Sequence, residues 1–441
     1  MRLAFLSPIP PAPSGIADYA AEVLAVLARA HEIHVFHAQK VVDPLALPPG
    51  VRVHHVQGFL PRHREKPFDV VVYQMGNGSA HDFVYPALPA VPGLLVLHDL
   101  VLHHARARMF LESSAAQAYA RDLGSTEKRR EAEADRERYR NEVAYSYPSA
   151  GDRLPFAHLN TTGTLLPYAY PLFRLPVEAA RVVAVHNAFM AEAVREEVPE
   201  AAVVRIPMAA QAALVPRDGV LALRDRLGLG ADDFVVGSFG LITAEKQIET
   251  LARAVARAAV HLPRVRLLLV GEAKDPSALR VTLGRLGVAE RTVVAGRVPL
   301  WTLPAHMEAA DLVVNLRYPT ARETSAALLR LLAQGRPTVV SDLEHLSDLP
   351  HDVVVRASLT DEEGDVTRAI LRLAGSTSGR SRLSVAARRF MAREHSRPRM
   401  REGYEAALAL TREAEPPRVR PTWPPPWKEA VRAAEGEAPG T

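Results

Sequence analysis

Short apolar runs alternate with helix-patterned segments along most of this chain, and that alternation restricts the fold more than any other feature. In the first half the runs are Leu3–Ser7, Ile33–His37, Val51–His55, Val70–Gln74, Leu94–His98 and Val182–His186. In the second half they are Phe234–Phe239, Arg266–Gly271, Thr292–Ala295, Leu312–Leu316, Thr338–Val340 and Val353–Val355. Amphipathic stretches such as Ile16–Arg29, Gln247–Ala259 and Glu323–Gln334 lie between them. Runs this apolar suit strands buried on both faces, as in parallel sheets covered by helices. Two such series in 441 residues predict an α/β chain with two Rossmann-like, doubly wound parallel-sheet domains. The expected bounds are 1–205 for the first domain, 206–232 for a linker and 233–394 for the second domain.

Three segments depart from the alternation. Residues 106–147 read as a helical insertion, strongly charged over RDLGSTEKRREAEADRERYRNE, and a solvated helical face is the default reading of such a run. Residues 155–176 carry aromatics and prolines suited to a packed lid or rim. Residues 416–441 form a Pro-rich tail with Trp423 and Trp427, expected to be extended and in part docked.

Composition narrows the function classes. A net charge of +4 is small for this length, and no basic–aromatic recognition motif occurs, so nucleic acid is not an expected partner. With no cysteine, the chain has no disulfide, thiolate metal site or Cys nucleophile, which fits a cytoplasmic protein. The apolar run in MRLAFLSPIP is too short for a signal peptide, and no run of 18 apolar residues exists. Peripheral contact with the inner face of a membrane stays compatible with this pattern.

Five stretches carry chemistry. In Leu312–Asp342, a buried strand leads through a Pro-containing loop and the polar step Glu323-Thr324-Ser325 into an apolar helix that stops at Gly335. A helix start at the C-terminal edge of a parallel sheet offers free N–H groups to an anion. Glu323 is a carboxylate at that place. It reads either as a helix-start charge or as an acceptor for a polyol beside a phosphate, and the second reading points to a nucleotide sugar. In SPIPPAPSGIADY, Ser14 reads as a helix cap, Gly15 permits close backbone approach, and Asp18 lies near the helix start. The stretch lacks the GxGxxG pattern, which disfavours a dinucleotide site. YQMGN places a polar Gly76-Asn77 step after a strand. LHDLVLHH puts His98 and Asp99 at a strand end, where a polar pair lining a sugar pocket is a better reading than zinc. VGSFGLITAEKQI ends a strand at Gly240 and brings Lys246 to the next helix start, a pairing suited to a diphosphate.

Taken in order, SGIADY, YQMGNGSAH, LHDLVLHH, AVHN, SFGLITAEK, LLVGE and LRYPTARETSAALLRLLAQGRPTVVSD resemble the family 4 glycosyltransferases of the GT-B fold. The resemblance spans roughly residues 1 to 355. It implies two Rossmann-like domains facing across a cleft, with a nucleoside-diphosphate sugar on the C-terminal domain and the acceptor on the N-terminal one. It also implies a crossover helix at 395–415, within REHSRPRMREGYEAAL. Transfer in this family retains anomeric configuration and needs no metal, and no cofactor beyond the donor is expected. By the same resemblance Glu323 contacts the sugar hydroxyls, while Lys246 and the N–H groups of Thr324 and Ser325 hold the diphosphate. Gly15 lets the backbone approach the phosphates, and Gly240 belongs to the donor side. His98 lies near the reacting sugar. His186 is an acceptor-side candidate, with Asp18, Asn77 and Asp99.

The chain also departs from the family pattern. The second Glu of the donor motif is absent, with Leu331 at its place and Arg330 beside it to meet phosphate or ribose. Leu241 stands near a customary Arg, and Arg322 near a customary glycine. The expected activity is a retaining transfer of a hexose from a UDP- or GDP-sugar to a glycan, lipid-linked or small-molecule acceptor. The alternatives are a GT-B scaffold with weak or no turnover, or a sugar-nucleotide epimerase of the same fold.

Overall fold

The computed structural model describes residues 1–112, 126–149, 153–154 and 165–417. Two compact units divide the chain. One holds residues 1–207, 321–324 and 401 onward, and the other holds 208–320 and 325–400.

The first unit contains a seven-stranded parallel sheet. Its strands are β1 (Arg2–Leu6), β2 (Glu32–His37), β3 (Arg52–His55), β4 (Val70–Met75), β5 (Leu94–Leu97), β6 (Val182–Val185) and β7 (Val203–Arg205), in the order β3-β2-β1-β4-β5-β6-β7. Every residue of β4, β5 and β6 is buried, as continuous apolar runs require. Ala4, Leu6, Tyr73, Leu95, Leu97 and Val183 form the core with the helix residues Leu88, Leu175 and Val194. The chain order reverses between β1 and β4, so this pair is the switch point where a doubly wound sheet opens a ligand crevice at its strand ends.

The second unit repeats the plan with six parallel strands: β8 (Phe234–Phe239), β9 (Val265–Val270), β10 (Thr292–Gly296), β11 (Leu312–Asn315), β12 (Thr338–Ser341) and β13 (Val355–Ala357). Their order is β10-β9-β8-β11-β12-β13, which places the switch point between β8 and β11. Val236, Leu267, Leu269 and Val314 pack against Ile248, Leu251, Val255 and Ile370 of two covering helices.

Several expectations shift. The helix of the donor motif runs Ala326–Ala333 rather than from Glu323, because the Ser325 hydroxyl accepts from Leu328 N and sets the start. Lys246 closes a 3-10 turn, Ala244–Lys246. Gln247 then takes a left-handed conformation (φ 51°), and the helix begins only at Ile248. β13 lies two residues beyond the expected run, since Val353 and Val354 are buried without joining the sheet. The stretch read as linker contains the helix Arg217–Arg226, whose Leu223 packs with Met307 and Leu331 in the second unit. β7 has no counterpart among the expected strands. It is short and largely uncovered, so it shows no apolar run.

The charged insertion forms helices His103–Leu111 and Thr126–Ser146, and residues 113–125 lie outside the described residues. So do 155–164 of the expected lid, and the tail from residue 418 with Trp423 and Trp427. The terminal helix is Arg397–Glu413. Its residues up to Met400 pack with the second unit and those from Arg401 with the first. Among the described residues no helix is long and apolar enough to cross a membrane.

Candidate functional site

In the first unit, the expected residues gather at the C-terminal ends of β1, β4 and β5. Ser14 caps the helix Gly15–Leu27 by accepting from Ile16 N at 3.2 Å. Gly15 opens that helix, and a Cβ there would meet no atom within 4 Å. Packing within the unit therefore does not itself demand a glycine there. Asp18 sits in the same first turn.

His98 differs from its expected role. Its ring is 5% exposed, and both nitrogens are engaged inside the unit. Nε2 faces the Gln74 side-chain amide at 2.6 Å, and Nδ1 lies 3.1 Å from His186 Nε2. His186 Nδ1 lies 2.8 Å from the Ile206 carbonyl, and Gln74 continues the chain to Tyr404 and Tyr19. A carbonyl only accepts, so His186 donates to Ile206 O from Nδ1. Gln74 Oε1 accepts from His98 Nε2, and Gln74 Nε2 donates to Tyr404 Oη at 3.3 Å. Burial, with His186 and His81 nearby, holds His98 far less basic than a free imidazole. His98 and His186 are thus buried links that position the strand ends, with no ring nitrogen left to grip a sugar.

Asn77 and Asp99 are also built into the scaffold. Asp99 Oδ2 accepts from Asn77 N at 2.7 Å, and Asn77 Oδ1 accepts from Ala105 N at 2.8 Å. Between them, a Cβ on Gly76 would lie 2.4 Å from Ile16 Cδ1 and 3.1 Å from Asp99 Oδ2, so a larger residue would have to displace the Ile16 side chain.

The segment Ala321–Thr324, which precedes the donor-motif helix, packs with this first unit. Leu100 N donates to Ala321 O at 3.0 Å. Asn187 Nδ2 donates to Arg322 O at 3.2 Å and to Thr324 Oγ1 at 3.1 Å, while its Oδ1 caps the helix Ala188–Glu197. Arg322 takes φ 61°, and its guanidinium lies 5.6 Å from the centre of the Phe189 ring. Glu323, half-buried, is held from both sides by these anchored neighbours. Asn187 went unnoticed as a site residue in the sequence. Its signal was a helix-capping Asn in AVHN, and its second task depends on a partner far along the chain.

In the second unit, the switch point assembles Gly240, Lys246, Ser325 and the first turn of Ala326–Ala333. Gly240 (φ 110°) follows β8, and a Cβ there would sit 3.7 Å from Lys246 Nζ. Gly271 closes from beside it, where a Cβ would strike the Gly240 carbonyl at 1.9 Å. The ammonium is mostly buried. Burial, then the Arg317 charge, lowers the Lys246 pKa to about 7, against a raising effect of Glu245. Neither Ala326 N nor Ala327 N has an acceptor among the described residues. Arg330 lies one turn further along this helix, in its last turn. A helix start and a cation that both follow strands of the switch point are each suited to an anion. Arg317 was missed in the sequence, because one arginine after a strand carries no signal in an Arg-rich chain.

Comparison with known proteins bears on this geometry. Residues 233–376, about a third of the chain, match the family model for glycosyl transferases group 1. A search of curated proteins found no match. Among solved structures, Anabaena HepE in complex with UDP and glucose aligns at TM-score 0.63 and 17% identity, over 93% of this chain and 99% of that one. WaaG, a glycosyltransferase involved in lipopolysaccharide biosynthesis, aligns at TM-score 0.60 and 13% identity, over 93% and 99%. Sucrose-phosphate synthase of Thermosynechococcus elongatus aligns at TM-score 0.61 and 17% identity, over 93% and 96%. The fold is therefore GT-B, with two Rossmann-like parallel-sheet domains. The group 1 match is confined to residues 233–376, and the fold likeness extends over 93% of the chain.

Proposed function

We propose that this protein is a retaining glycosyltransferase of family 4 that moves a hexose from a UDP- or GDP-sugar to a glycan, lipid-linked or small-molecule acceptor. The observation that carries the reading is Lys246, a mostly buried ammonium over Gly240 at the β8–β11 switch point. A buried cation in a crevice is costly unless an anion arrives to pair with it. The N–H groups of Ala326 and Ala327 add donors in the same unit, two residues on from the Thr324 and Ser325 groups expected from sequence. A diphosphate is the anion that matches both the family model and the UDP bound by HepE.

In this scheme the C1–oxygen bond of the donor breaks, and its electron pair leaves on the diphosphate. The acceptor oxygen bonds to C1 from the same face, and its proton passes to the leaving phosphate oxygen. Lys246 and the helix start stabilise the developing charge, where preorganised donors contribute most. Glu323 accepts from sugar hydroxyls, with its position fixed through Arg322 and Thr324. Arg330 reaches for phosphate or ribose. In the first unit, Gly15 and Asp18 remain the donor-side and acceptor-side candidates that the sequence resemblance implies. The mechanism draws on no metal or further cofactor.

Steady-state transfer assays test the assignment. Glu323→Ala and Lys246→Ala are each expected to lower turnover by about 10²–10³-fold while the melting temperature stays near that of the wild type. Wild-type rates in both variants would remove these residues from the chemistry.

A further inference from the structure

We propose that Arg317 is a second cation of the diphosphate site, holding the anion jointly with Lys246. The inference rests on the donor site proposed above and adds to it a residue from a different strand end. β8 and β11 are neighbours, paired through Leu312 with Val236 and Val313 with Gly237. Their chains diverge past the sheet edge, Lys246 on one side and Arg317 on the other. The loops are then tied together again. Tyr318 N donates to Glu245 O at 2.9 Å, and Gln247 Nε2 donates to Tyr318 O at 2.8 Å. The residues on either side of Lys246 are thus both bonded to the residue that follows Arg317. Arg317 N donates in turn to Ser341 Oγ at 2.9 Å, and the Ser341 hydroxyl donates to Glu362. The backbone carrying Arg317 is therefore fixed from both β8 and β12.

The electrostatics agree with this placement. Arg317 lies near enough that its charge lowers the Lys246 pKa, while Glu245 acts in the opposite direction. Two neighbouring cations repel each other, and a dianion bound by both relieves that repulsion. A guanidinium also offers a planar fork for two phosphate oxygens, which a lysine cannot. The competing role for Arg317 is to neutralise Glu245, whose carboxyl it also helps to acidify.

Calorimetric titration of the full chain with UDP, GDP and UMP separates these roles. Arg317→Gln is expected to weaken UDP and GDP binding about 10- to 100-fold, as for a charge-assisted contact worth ~1.5–3 kcal/mol, and to change UMP binding far less. Arg317→Lys is expected to recover part of the loss as a point charge. UDP and GDP affinities within twofold of the wild type in Arg317→Gln would overturn the assignment. So would equal losses for UDP and UMP accompanied by a lower melting temperature, the signature of a Glu245 partner that only supports the fold. Wild-type protein that binds neither UDP nor GDP would instead sink the donor site itself, and the Arg317 role with it.

Discussion

An ammonium group buried beside a guanidinium loses its proton easily, and Lys246 is held in that position. With a pKa of about 7 in the free protein, it is half neutral at neutral pH. A bound diphosphate favours the charged form and raises the pKa, so binding draws a proton from solvent. The sign follows directly. Affinity is highest below pH 7, where the lysine is already charged, and falls as pH rises toward the higher pKa of the complex. UDP affinity is expected to drop by up to about tenfold per pH unit above 7. Titrations in buffers of differing ionisation enthalpy should reveal the proton uptake. Lys246→Arg, charged throughout, should bind UDP with little pH dependence over the same window, and an unchanged slope in that variant would locate the titrating group elsewhere. At this scale the sequence was only partly informative. Lys246 and Glu323 stood out because they follow strand ends within recognisable stretches. His98 stood out for the same reason, yet its ring is tied to Gln74 and His186, two partners distant in the chain. Nothing local in LHDL distinguishes a ligand-facing imidazole from a buried link.

Elements were legible where burial is two-sided. β1, β4, β5, β8 and β11 are continuous apolar runs, and each lies within two residues of its expected bounds. β7 and β13 lie at sheet edges with half-covered residues, so hydrophobicity marks neither their presence nor their ends. Helix starts depended on caps. Ser325 moves the donor-motif helix three residues past Glu323, which places Glu323 in the loop two residues before the cap. The charged insertion shows the opposite limit, since a run that reads as solvated hides an internal ion pair. Arg106 donates to Glu142 from Nε at 2.8 Å and from a terminal nitrogen at 2.6 Å, and both side chains are at most 5% exposed. The Tyr85 and Phe110 rings flank the guanidinium, each with its centre 4.6 Å from it. Arg106→Met would strand the Glu142 carboxylate in this apolar setting. Such a break costs about 3–5 kcal/mol, to be measured by urea unfolding. Removing both charges together in Arg106→Met with Glu142→Leu should recover most of that loss. Equal instability in single and double variants would argue that packing volume, rather than the stranded charge, sets the cost.

Across the whole chain, the same plan occurs twice: a parallel sheet whose order reverses between its first and fourth strands. In each unit the glycine loops and helix starts fall at that reversal, because only there do neighbouring strand ends diverge enough to admit a ligand. Sequence alternation conveys the plan, but not which unit answers to the nucleotide, and calorimetry can show that. A ligand that binds only the folded state stabilises what it binds, by about 2.7 kcal/mol at a hundred times its Kd. Two units with separate cores need not melt as one transition, so the response can be assigned to one of them. UDP, which lacks the sugar that Glu323 is proposed to hold, should raise the component belonging to residues 208–320 and 325–400. The component of the first unit should shift little. Lys246→Ala should remove most of the UDP-induced shift without lowering either melting temperature, since it takes away a charge that is buried at a cost in the free protein. A shift confined to the first unit, or one that persists in Lys246→Ala, would place the nucleotide away from the β8–β11 switch point.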